Sequence, residues 1–516
     1  MEFFQSLESL LILSLLPLLL LFFIILFSKS SSKKSPNPNI DGFKPYPLLG
    51  HLPHLFKHRH DFLEWTSNLL SKSPTHSIVI DLPFQRNGFM TSNPLNIEHI
   101  VKSNFSNYPK GDRAIYTLKD FLGHGIFNSN GDHWNSQRKI ASHEFNKKSL
   151  RKFIVTTVDN EIISRLLPFV SKKCNSGEVF DMQDVLERFA FDNICKVAFG
   201  EDPCCLTVED SARPELVRAF GDASHIIIDR FNDLRPFTWR IQRLLNVGPE
   251  KRLNEAIKIV NNFAMKIIKS RRTRETKEEE EEDDDLLSRL ALNKENSDEY
   301  LRDMVISFIV AGLETTSSAL TWFFWLLSKR PDVEEKILSE VKKIHFQNSE
   351  SLNIDELRDM HYLHAAISES LRLYPPVALD TQSCLEDDVM PDGTFVGKGW
   401  FVTYNAYSVG RLKDVWGEDC MEYRPERWLE NGVFRPENPF KFPAFHGGPR
   451  MCLGKEMAYI QMKSIVACLV QRFRIEVLLP GDKDPEELLW FTLRMKGGLP
   501  VKFTERDSNL CVDDED

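Results

Sequence analysis

The chain of 516 residues lacks the cysteine spacing of a disulfide-stabilised or zinc-binding protein. Its nine cysteines are odd in number and irregularly spaced, apart from the adjacent pair Cys204 and Cys205. Neither a disulfide framework nor a tetrahedral zinc site has this pattern. A basic surface is missing too, because the net charge is −10 and no basic stripe with interleaved aromatic residues occurs. These absences argue against a disulfide scaffold, a structural zinc protein and a nucleic-acid partner.

One cysteine is set apart by its neighbours, in the run FHGGPRMCLG. Gly448 and Gly454 would permit a tight turn and a close approach of the backbone to a flat macrocycle. A helix is predicted directly after the run, and its N-terminal N–H groups could stabilise a Cys452 thiolate. Arg450 could bind a propionate and Phe445 could shield the sulfur from water. The run predicts a thiolate-ligated haem iron, and the alternative is a buried structural cysteine in a Gly-rich turn.

The pattern F-x-x-G-x-R-x-C-x-G resembles that of the cytochrome P-450 superfamily, the haem-thiolate monooxygenases. The resemblance covers essentially the whole chain after its N-terminal apolar run. It implies a cytochrome P-450 fold, with haem b between a long central helix and the cysteine loop and with Cys452 as the iron ligand. It also implies that electrons come from NADPH through NADPH-cytochrome P-450 reductase, and that the protein lies at the endoplasmic reticulum membrane.

An uncharged apolar run at residues 10–27 predicts a membrane anchor. At about 1.5 Å per residue a helix of this length spans about 27 Å, close to the hydrocarbon thickness of a bilayer. Acidic residues precede the run and lysines follow it, so the positive-inside rule leaves the rest of the chain in the cytosol. The alternative is a cleaved signal peptide, but a basic n-region and a small-residue cleavage site are missing. We predict a single-pass anchor over 1–28.

The remaining chain predicts a mainly α fold with small β-sheets. Residues 29–50 are rich in Ser, Lys and Pro and predict a stiff, extended stem outside the packed fold. Short β-rich stretches at 76–82 and 88–92 are followed mostly by helical periodicity bounded by Pro and Gly. One haem-thiolate catalytic domain is expected over 51–516. The acidic run at 277–285 is too charged to pack and predicts a solvated loop, with a regulatory or partner-binding role as the alternative.

A helix is predicted from Ser297 to Arg330, ending before Pro331. With about 33 residues it would be about 50 Å long. Its apolar composition could suggest a second transmembrane span. Because it carries charged residues, among them Asp303 and Glu314, a buried central helix is favoured.

The run AGLETT within this helix places two small residues before an acid and a hydroxyl. Ala311 and Gly312 would let a flat cofactor approach the helix. Thr315 can donate a hydrogen bond to the carbonyl of Ala311, which loosens the helix and forms a groove for water and dioxygen. Glu314 and Thr315 could then relay protons in a dry pocket. The alternative is a threonine satisfied within its helix beside an acid in a surface ion pair. In the family this motif is typical of monooxygenases.

Two further patterns resemble structural motifs of the family. Glu369 and Arg372 lie three apart on a predicted helix, and Arg427 in the run PERW can join them. The resemblance implies that this charge cluster serves folding and haem retention. Trp134 and Arg138 lie four apart and resemble the family's pair that faces a propionate. The alternative for that pair is an ordinary amphipathic helix.

Basic residues near Trp134 predict a docking site for an acidic reductase by charge complementarity. They are Arg138, Lys139, Lys147, Lys148, Arg151 and Lys152, together with Lys455 beside the cysteine. A solvated helix face is the alternative.

The substrate is predicted from a resemblance carried by residues 384–411 and the run KEMAYIQMK. Both look like the plant fatty-acid ω-hydroxylase branch, which also contains jasmonoyl-isoleucine hydroxylases and sterol side-chain oxidases. Leu313 and Glu314 depart from that branch, where a basic residue and Asp are usual. The expected activity is hydroxylation of the terminal or near-terminal carbon of a fatty acid or similar long aliphatic small molecule. The alternatives are oxidation of a sterol or steroidal side chain, oxidation of a jasmonoyl-amino acid conjugate, and a non-oxygenating haem protein that binds ligands or transfers electrons.

Overall fold

The structure, a computed structural model, describes a defined set of residues. They are residues 40, 42–82, 87–145, 157–207, 213–233, 237–274, 286–293, 295–344, 352–479 and 484–506. The predicted anchor over 1–28, most of the predicted stem over 29–50 and the acidic run at 277–285 lie outside them.

Helices make up most of the described chain, as the sequence predicts. The α-helices in chain order are α1 (Leu52–Lys57), α2 (Phe62–Lys72), α3 (Pro94–Glu98), α4 (Asp112–Leu122), α5 (Gly131–Phe145), α6 (Leu167–Ser176), α7 (Met182–Phe199), α8 (Glu215–Asn232), α9 (Thr238–Leu245), α10 (Pro249–Arg274), α11 (Leu286–Leu292), α12 (Asp298–Ser328), α13 (Pro331–Ile344), α14 (Ile354–Asp359), α15 (His361–Leu373), α16 (Ala406–Val409), α17 (Lys413–Trp416) and α18 (Lys455–Arg472).

The strands are short and form small sheets. They are β1 (Ser77–Ile80), β2 (Gly88–Thr91), β3 (Phe180–Asp181), β4 (Leu379–Ser383), β5 (Asp388–Val389), β6 (Phe395–Val396), β7 (Phe401–Asn405), β8 (Leu429–Glu430), β9 (Val433–Phe434), β10 (Phe473–Val477), β11 (Glu487–Leu489), β12 (Leu493–Met495) and β13 (Pro500–Glu505). The chain divides into two compact units, where the sequence predicts one domain over 51–516.

The first unit contains the residues up to Gly111 together with Leu379–Val409. Its sheet has the strand order β1-β2-β7-β4, in which β2 and β7 are parallel and the other pairs are antiparallel. The two strands predicted at 76–82 and 88–92 are therefore confirmed. The described end of the predicted stem differs from the expectation of an unpacked segment. Ile40 and Phe43 are buried in the apolar core of this unit. The reason is that removing a large apolar side chain from water is favourable, and an extended, solvated stem would leave both side chains exposed.

The second unit contains Asp112–Ala378 and Gly410–Asp516. Its apolar core combines residues of α7, α8, α10 and α12. The order β10-β13-β3 forms an antiparallel sheet, and β11 and β12 form a two-stranded sheet. All residues of the candidate site lie in this unit.

The helix α12 is shorter than predicted by a few residues at its end. The hydroxyl of Ser297 accepts a hydrogen bond from the backbone N–H of Tyr300 at 3.1 Å and caps the helix. The helix ends at Ser328, and Pro331 begins the next helix, a position that suits a residue without an N–H. Among the described residues α12 has the length and composition of a membrane span, but 78% of its apolar window is buried in the protein. The expectation of a buried central helix is confirmed.

Candidate active site

The loop that carries Cys452 is a turn followed directly by a helix. Gly448 has φ of +62°, a left-handed conformation that glycine adopts without strain. The N–H of Cys452 donates to the carbonyl of Phe445 at 2.9 Å, which closes the loop. Gly454 precedes α18 with φ of −87°, which any residue can adopt, so its role differs from the predicted turn. A Cβ at Gly454 would lie 3.9 Å from the Cys452 sulfur, an ordinary van der Waals contact, so the packing of the described residues does not require glycine there.

The Cys452 thiol is accessible and at the same time enclosed. Its side chain is exposed to solvent, yet burial by surrounding protein is the main cause that raises its pKa. The backbone N–H of Gly454 and the charges of Arg138 and Lys455 oppose this shift and lower the pKa. An accessible thiol that is surrounded by protein lies in a recess. On balance burial favours the thiol, and the nearby cations and the helix N–H group reduce that preference.

Two guanidinium groups and an indole ring adjoin the cysteine loop. Arg138 on α5 donates a hydrogen bond to the carbonyl of Met451, the residue before the cysteine. Arg450 donates to the Ser129 carbonyl at 2.8 Å, and its guanidinium lies 4.5 Å above the Trp134 ring. Burial lowers the pKa of Arg138. Positive charge held in a partly desolvated place suits an anionic ligand such as a carboxylate. The structure thus brings the predicted pair on α5 together with the predicted arginine of the loop.

A short face of α12 is accessible in the middle of an otherwise buried helix. From Asp303 to Leu327, only Ala311, Gly312 and Thr315 have side chains or Cα atoms that are partly exposed. Residues with this spacing share one face of a helix. Thr315 Oγ1 donates to the Ala311 carbonyl at 2.6 Å, which is the predicted hydrogen bond. The accessible face is therefore lined by small residues and one hydroxyl.

Gly312 has a packing function that the sequence did not indicate. A Cβ at Gly312 would lie 2.6 Å from Cγ1 of Ile194 on α7, which is a steric clash between two carbon atoms. The glycine therefore permits the close contact between α7 and α12. We predicted that it admits a cofactor, and this helix contact gives a separate reason for its small size.

Glu314 is a buried carboxyl group. Its side chain is 3% exposed, so the alternative of an acid in a surface ion pair is wrong. Burial raises its pKa from the ordinary value of 4.5 to about 7, and the Ser224 hydroxyl and the Arg494 charge oppose that shift. A raised pKa in an acid means that the folded state binds the proton more tightly than the unfolded chain. The contribution of Glu314 to the free energy of unfolding is therefore lost as the pH rises from about 4.5 to about 7. Near neutral pH this carboxyl can both donate and accept a proton.

The predicted charge cluster of Glu369, Arg372 and Arg427 forms in the interior. Glu369 Oε1 lies 2.7 Å from Arg372 Nη2 and 2.7 Å from Arg427 Nε. Trp428 Nε1 donates to the other carboxylate oxygen at 2.9 Å. Arg372 also donates to the carbonyls of Cys420 and Glu422 at 2.6 and 3.0 Å. The cluster thus joins α15 to the segment that leads toward the cysteine loop.

The predicted docking patch is only partly described. Lys147, Lys148, Arg151 and Lys152 lie outside the described residues. Lys139 is exposed. Arg138 binds the Met451 carbonyl, and the Lys455 ammonium lies 5.7 Å from the Phe445 ring centroid. Of the three basic residues that the structure describes, Arg138 and Lys455 therefore contact the cysteine loop.

The described residues contain no cluster of three or more His, Cys, Asp or Glu that could hold a metal ion. The eight cysteines among them are all free. A single cysteine without such a cluster suits an iron that a macrocycle holds, with Cys452 as its protein ligand. The recessed thiol, the adjoining cations and the small-residue face of α12 fit haem in this respect.

Sequence reasoning missed five residues beside α12. Four of them act on the pKa of Glu314, namely Glu187, Arg213, Ser224 and Arg494, and Ile194 packs against Gly312. None belongs to a recognisable motif, and they come from segments far apart in the chain. The sequence offered one sign of a buried ion pair, which is the presence of charged residues in the apolar run DVLERFAFDN. Glu187 and Arg188 lie there among side chains that are otherwise typical of a buried helix.

Comparisons with known proteins find relatives along almost the whole chain. The family model described as Cytochrome P-450 matches residues 40–500. Cytochrome P-450 CYP94D108 of Paris polyphylla is 47% identical over 463 residues, which cover 89% of this chain and 91% of the relative. Cytochrome P-450 94A1 of Vicia sativa is 44% identical over 471 residues, 90% of this chain and 91% of the relative. Cytochrome P-450 94B1 of Arabidopsis thaliana is 44% identical over 470 residues, with the same two shares. The chain therefore belongs to the cytochrome P-450 family, as a monooxygenase that uses haem b and takes electrons from NADPH through a reductase.

Proposed function

We propose that this monooxygenase hydroxylates the terminal or near-terminal carbon of a fatty acid or similar long aliphatic substrate. The supporting observation is the apolar setting of the accessible face on α12. Phe308, Ile309 and Val310 precede that face in the apolar core, and the partly buried side chains of Leu118 and Phe491 pack against the same core. Such side chains offer no hydrogen bonds and favour a hydrocarbon chain. The resemblance to the fatty-acid ω-hydroxylase branch points the same way.

We propose that the residues of the cysteine loop and α5 hold the cofactor. Cys452 would ligate the iron, and Arg138 and Arg450 would bind the propionates beside Trp134. Ala311 and Gly312 would face the ring, and Phe445 would shield the sulfur. When bound, haem b supplies the iron at which dioxygen is reduced and one of its oxygen atoms is inserted into a C–H bond.

Glu314 and Thr315 would supply protons to this chemistry. One oxygen atom of dioxygen leaves as water, so two protons must enter a site from which bulk water is excluded. Thr315 Oγ1 donates its proton to the Ala311 carbonyl oxygen at a distance of 2.6 Å between the two oxygens. The lone pairs of the hydroxyl oxygen can therefore accept a hydrogen bond from a water molecule. Glu314 is the adjacent group that can release a proton near neutral pH, because burial raises its pKa to about 7.

Replacing Thr315 with alanine should uncouple electron use from product formation. We expect product per NADPH to fall on the order of 10- to 100-fold, with hydrogen peroxide released, because the relay loses its hydroxyl. Product, peroxide and NADPH oxidation would be measured together. Thr321→Ala is the matched control, since Thr321 Oγ1 donates to the Ser317 carbonyl at 2.7 Å on the same helix but is fully buried. A coupled Thr315→Ala enzyme would contradict the relay.

The substrate is tested by titrating the haem-loaded protein with three ligand classes. They are fatty acids of lauric to stearic length, a sterol and jasmonoyl-isoleucine. A spin-state shift with a fatty acid, followed by product bearing oxygen at or next to its terminal carbon, would support the proposal. If fatty acids cause no spin-state shift and the sterol or the jasmonoyl conjugate does, the ligand that causes the shift would be the favoured substrate class.

We also propose that the protein is held at the endoplasmic reticulum membrane by residues 1–28, with its catalytic part in the cytosol beside NADPH-cytochrome P-450 reductase. The apolar run at 10–27 and the lysines after it support this orientation. Lys139 and the basic residues up to Lys152 would then offer charge complementarity to an acidic reductase. Firm membrane association of a protein that lacks residues 1–28 would argue against this anchor.

A further inference from the structure

A buried charge cluster adjoins Glu314 within the second unit. Glu187 on α7 contacts two guanidinium groups: Arg494 on β12 reaches one carboxylate oxygen, and Arg213 reaches the other at 2.5 Å. The side chains of Glu187 and Arg494 are 3% and 9% exposed, whereas that of Arg213 is 29% exposed. The cluster thus leads from the partly exposed Arg213 to the interior, where Glu314 lies.

The backbone holds Arg494 next to the helix that bears Glu314. The carbonyl of Leu493 accepts hydrogen bonds from Ser318 at 2.6 Å and from Trp322 at 2.9 Å, and Ser318 lies one helical turn after Glu314. On the other side, the N–H of Met495 donates to the Gln183 side chain of α7 at 3.0 Å. Both neighbours of Arg494 are therefore fixed, one to each helix.

Among the described residues, the charges that act on Glu314 have a positive excess until Glu314 is ionised. Arg213 and Arg494 are cationic, and Glu187 is their shared anionic partner. Arg188 is paired with Asp184, so Glu314 would be the second anion beside the two arginines. No hydrogen bond of ordinary length joins its Oε2 or the buried Ser224 hydroxyl to another described residue, although the Ser224 hydroxyl lies close enough to Glu314 to lower its pKa. A buried acid in this position has an unfilled hydrogen-bonding capacity and a nearby positive excess, which together suit reversible proton binding.

We propose that the Glu187–Arg494 ion pair is a positioning element for Glu314 and controls whether its carboxyl group is neutral or ionised. This inference rests on the proposed relay role of Glu314. The two members of the pair act in opposite directions: the Arg494 charge favours the ionised carboxyl and the Glu187 charge favours the neutral one. Arg213 acts in the same direction as Arg494, and the Ser224 hydroxyl also favours the ionised form.

Other titratable groups adjoin the cluster from α8. The His225 ring stacks on Trp490 at 4.4 Å, and the Arg494 guanidinium lies 4.7 Å from the centroid of Trp490. His225 Nε2 lies 3.3 Å from Asp229. His225→Asn therefore accompanies the other variants, so that a change caused by histidine titration is recognised.

The test is a pH titration of the Glu314 carboxyl by infrared difference spectroscopy in the haem-loaded full-length protein. The carbonyl band is assigned by its loss in Glu314→Gln. Arg494→Gln is expected to move the midpoint up by about one pH unit, and Glu187→Gln to move it down by a similar amount. Arg188→Gln is the matched control, because Arg188 is buried like Arg494 but pairs with Asp184 on its own helix. Arg494→Lys should restore the wild-type midpoint.

Shifts of opposite sign would establish the electrostatic role, since a merely structural role would move both midpoints in one direction. Unshifted midpoints, or shifts of the same sign, would overturn the proposal. If neither buried variant retains haem, Arg213→Gln at the more exposed end provides the test, and its midpoint should move up. The titration does not depend on the relay. A fully coupled Glu314→Gln enzyme would contradict the relay role of Glu314, but the midpoint shifts expected in the Arg494 and Glu187 variants would still stand.

Discussion

Replacing Cys452 with serine is expected to abolish hydroxylation and to remove the Soret band at ~450 nm from the reduced carbon-monoxide complex. The physical reason is electron donation from a thiolate to the iron, which a hydroxyl does not provide. Arg138, Lys455 and the Gly454 N–H lower the Cys452 pKa against the larger effect of burial. Binding of iron would supply the remaining stabilisation of the thiolate, because a metal binds the deprotonated ligand. Difference spectra and product analysis would measure the two effects in one preparation.

Cys174→Ser is the control for this experiment. Cys174 is a free, partly exposed thiol on α6, so its replacement should leave the spectrum and the activity unchanged. A band at ~420 nm in the folded wild-type protein would contradict the assignment of Cys452 as a thiolate ligand. Full activity of the Cys452→Ser enzyme would contradict it as well.

Glu369→Gln is expected to prevent accumulation of folded, haem-containing protein. Glu369 and Arg372 have fully buried side chains, and Arg427 shares the same carboxylate. Removal of one charge leaves guanidinium groups buried without compensation, which costs about 3–5 kcal/mol. That is a large share of the ~5–15 kcal/mol by which a folded domain is stable. Haem content and the denaturant midpoint would measure the loss.

The matched control has the same spacing on an exposed helix. Asp355 and Arg358 lie three residues apart at 3.2 Å, and their side chains are 87% and 64% exposed. Because solvent screens that pair, Asp355→Asn should change stability by less than about 1 kcal/mol. Equal, small effects in both variants would show that burial of the Glu369 cluster does not matter for folding.

Local patterns were enough to predict the parts of the site that lie on one element. Ser297 and Pro331 bracket α12 because capping and the missing proline N–H act within a turn or two of the chain. The bond from Thr315 to Ala311 follows from helix geometry, since residues four apart face each other. The pair of Glu369 and Arg372 follows from the same rule.

The described part of the stem shows where composition misled. Ser, Lys and Pro over 29–50 predict an extended segment, but two apolar residues near its end, Ile40 and Phe43, are buried. Average composition over a window hides single large side chains, and each such side chain is stabilised by burial on the order of 1.5–3 kcal/mol.

The sequence by itself determined the family, the turn that carries Cys452, the helix that bears Glu314 and Thr315, and the charge pair on α15. Each depends on residues close together in the chain, whose spacing is set by turn and helix geometry. Only the tertiary structure decided that Gly312 admits Ile194 and that Glu314 is buried beside Glu187 and Arg494. Those contacts join segments distant in sequence. Local periodicity carries no information about which distant charge a buried carboxyl will meet, although that neighbour sets its pKa.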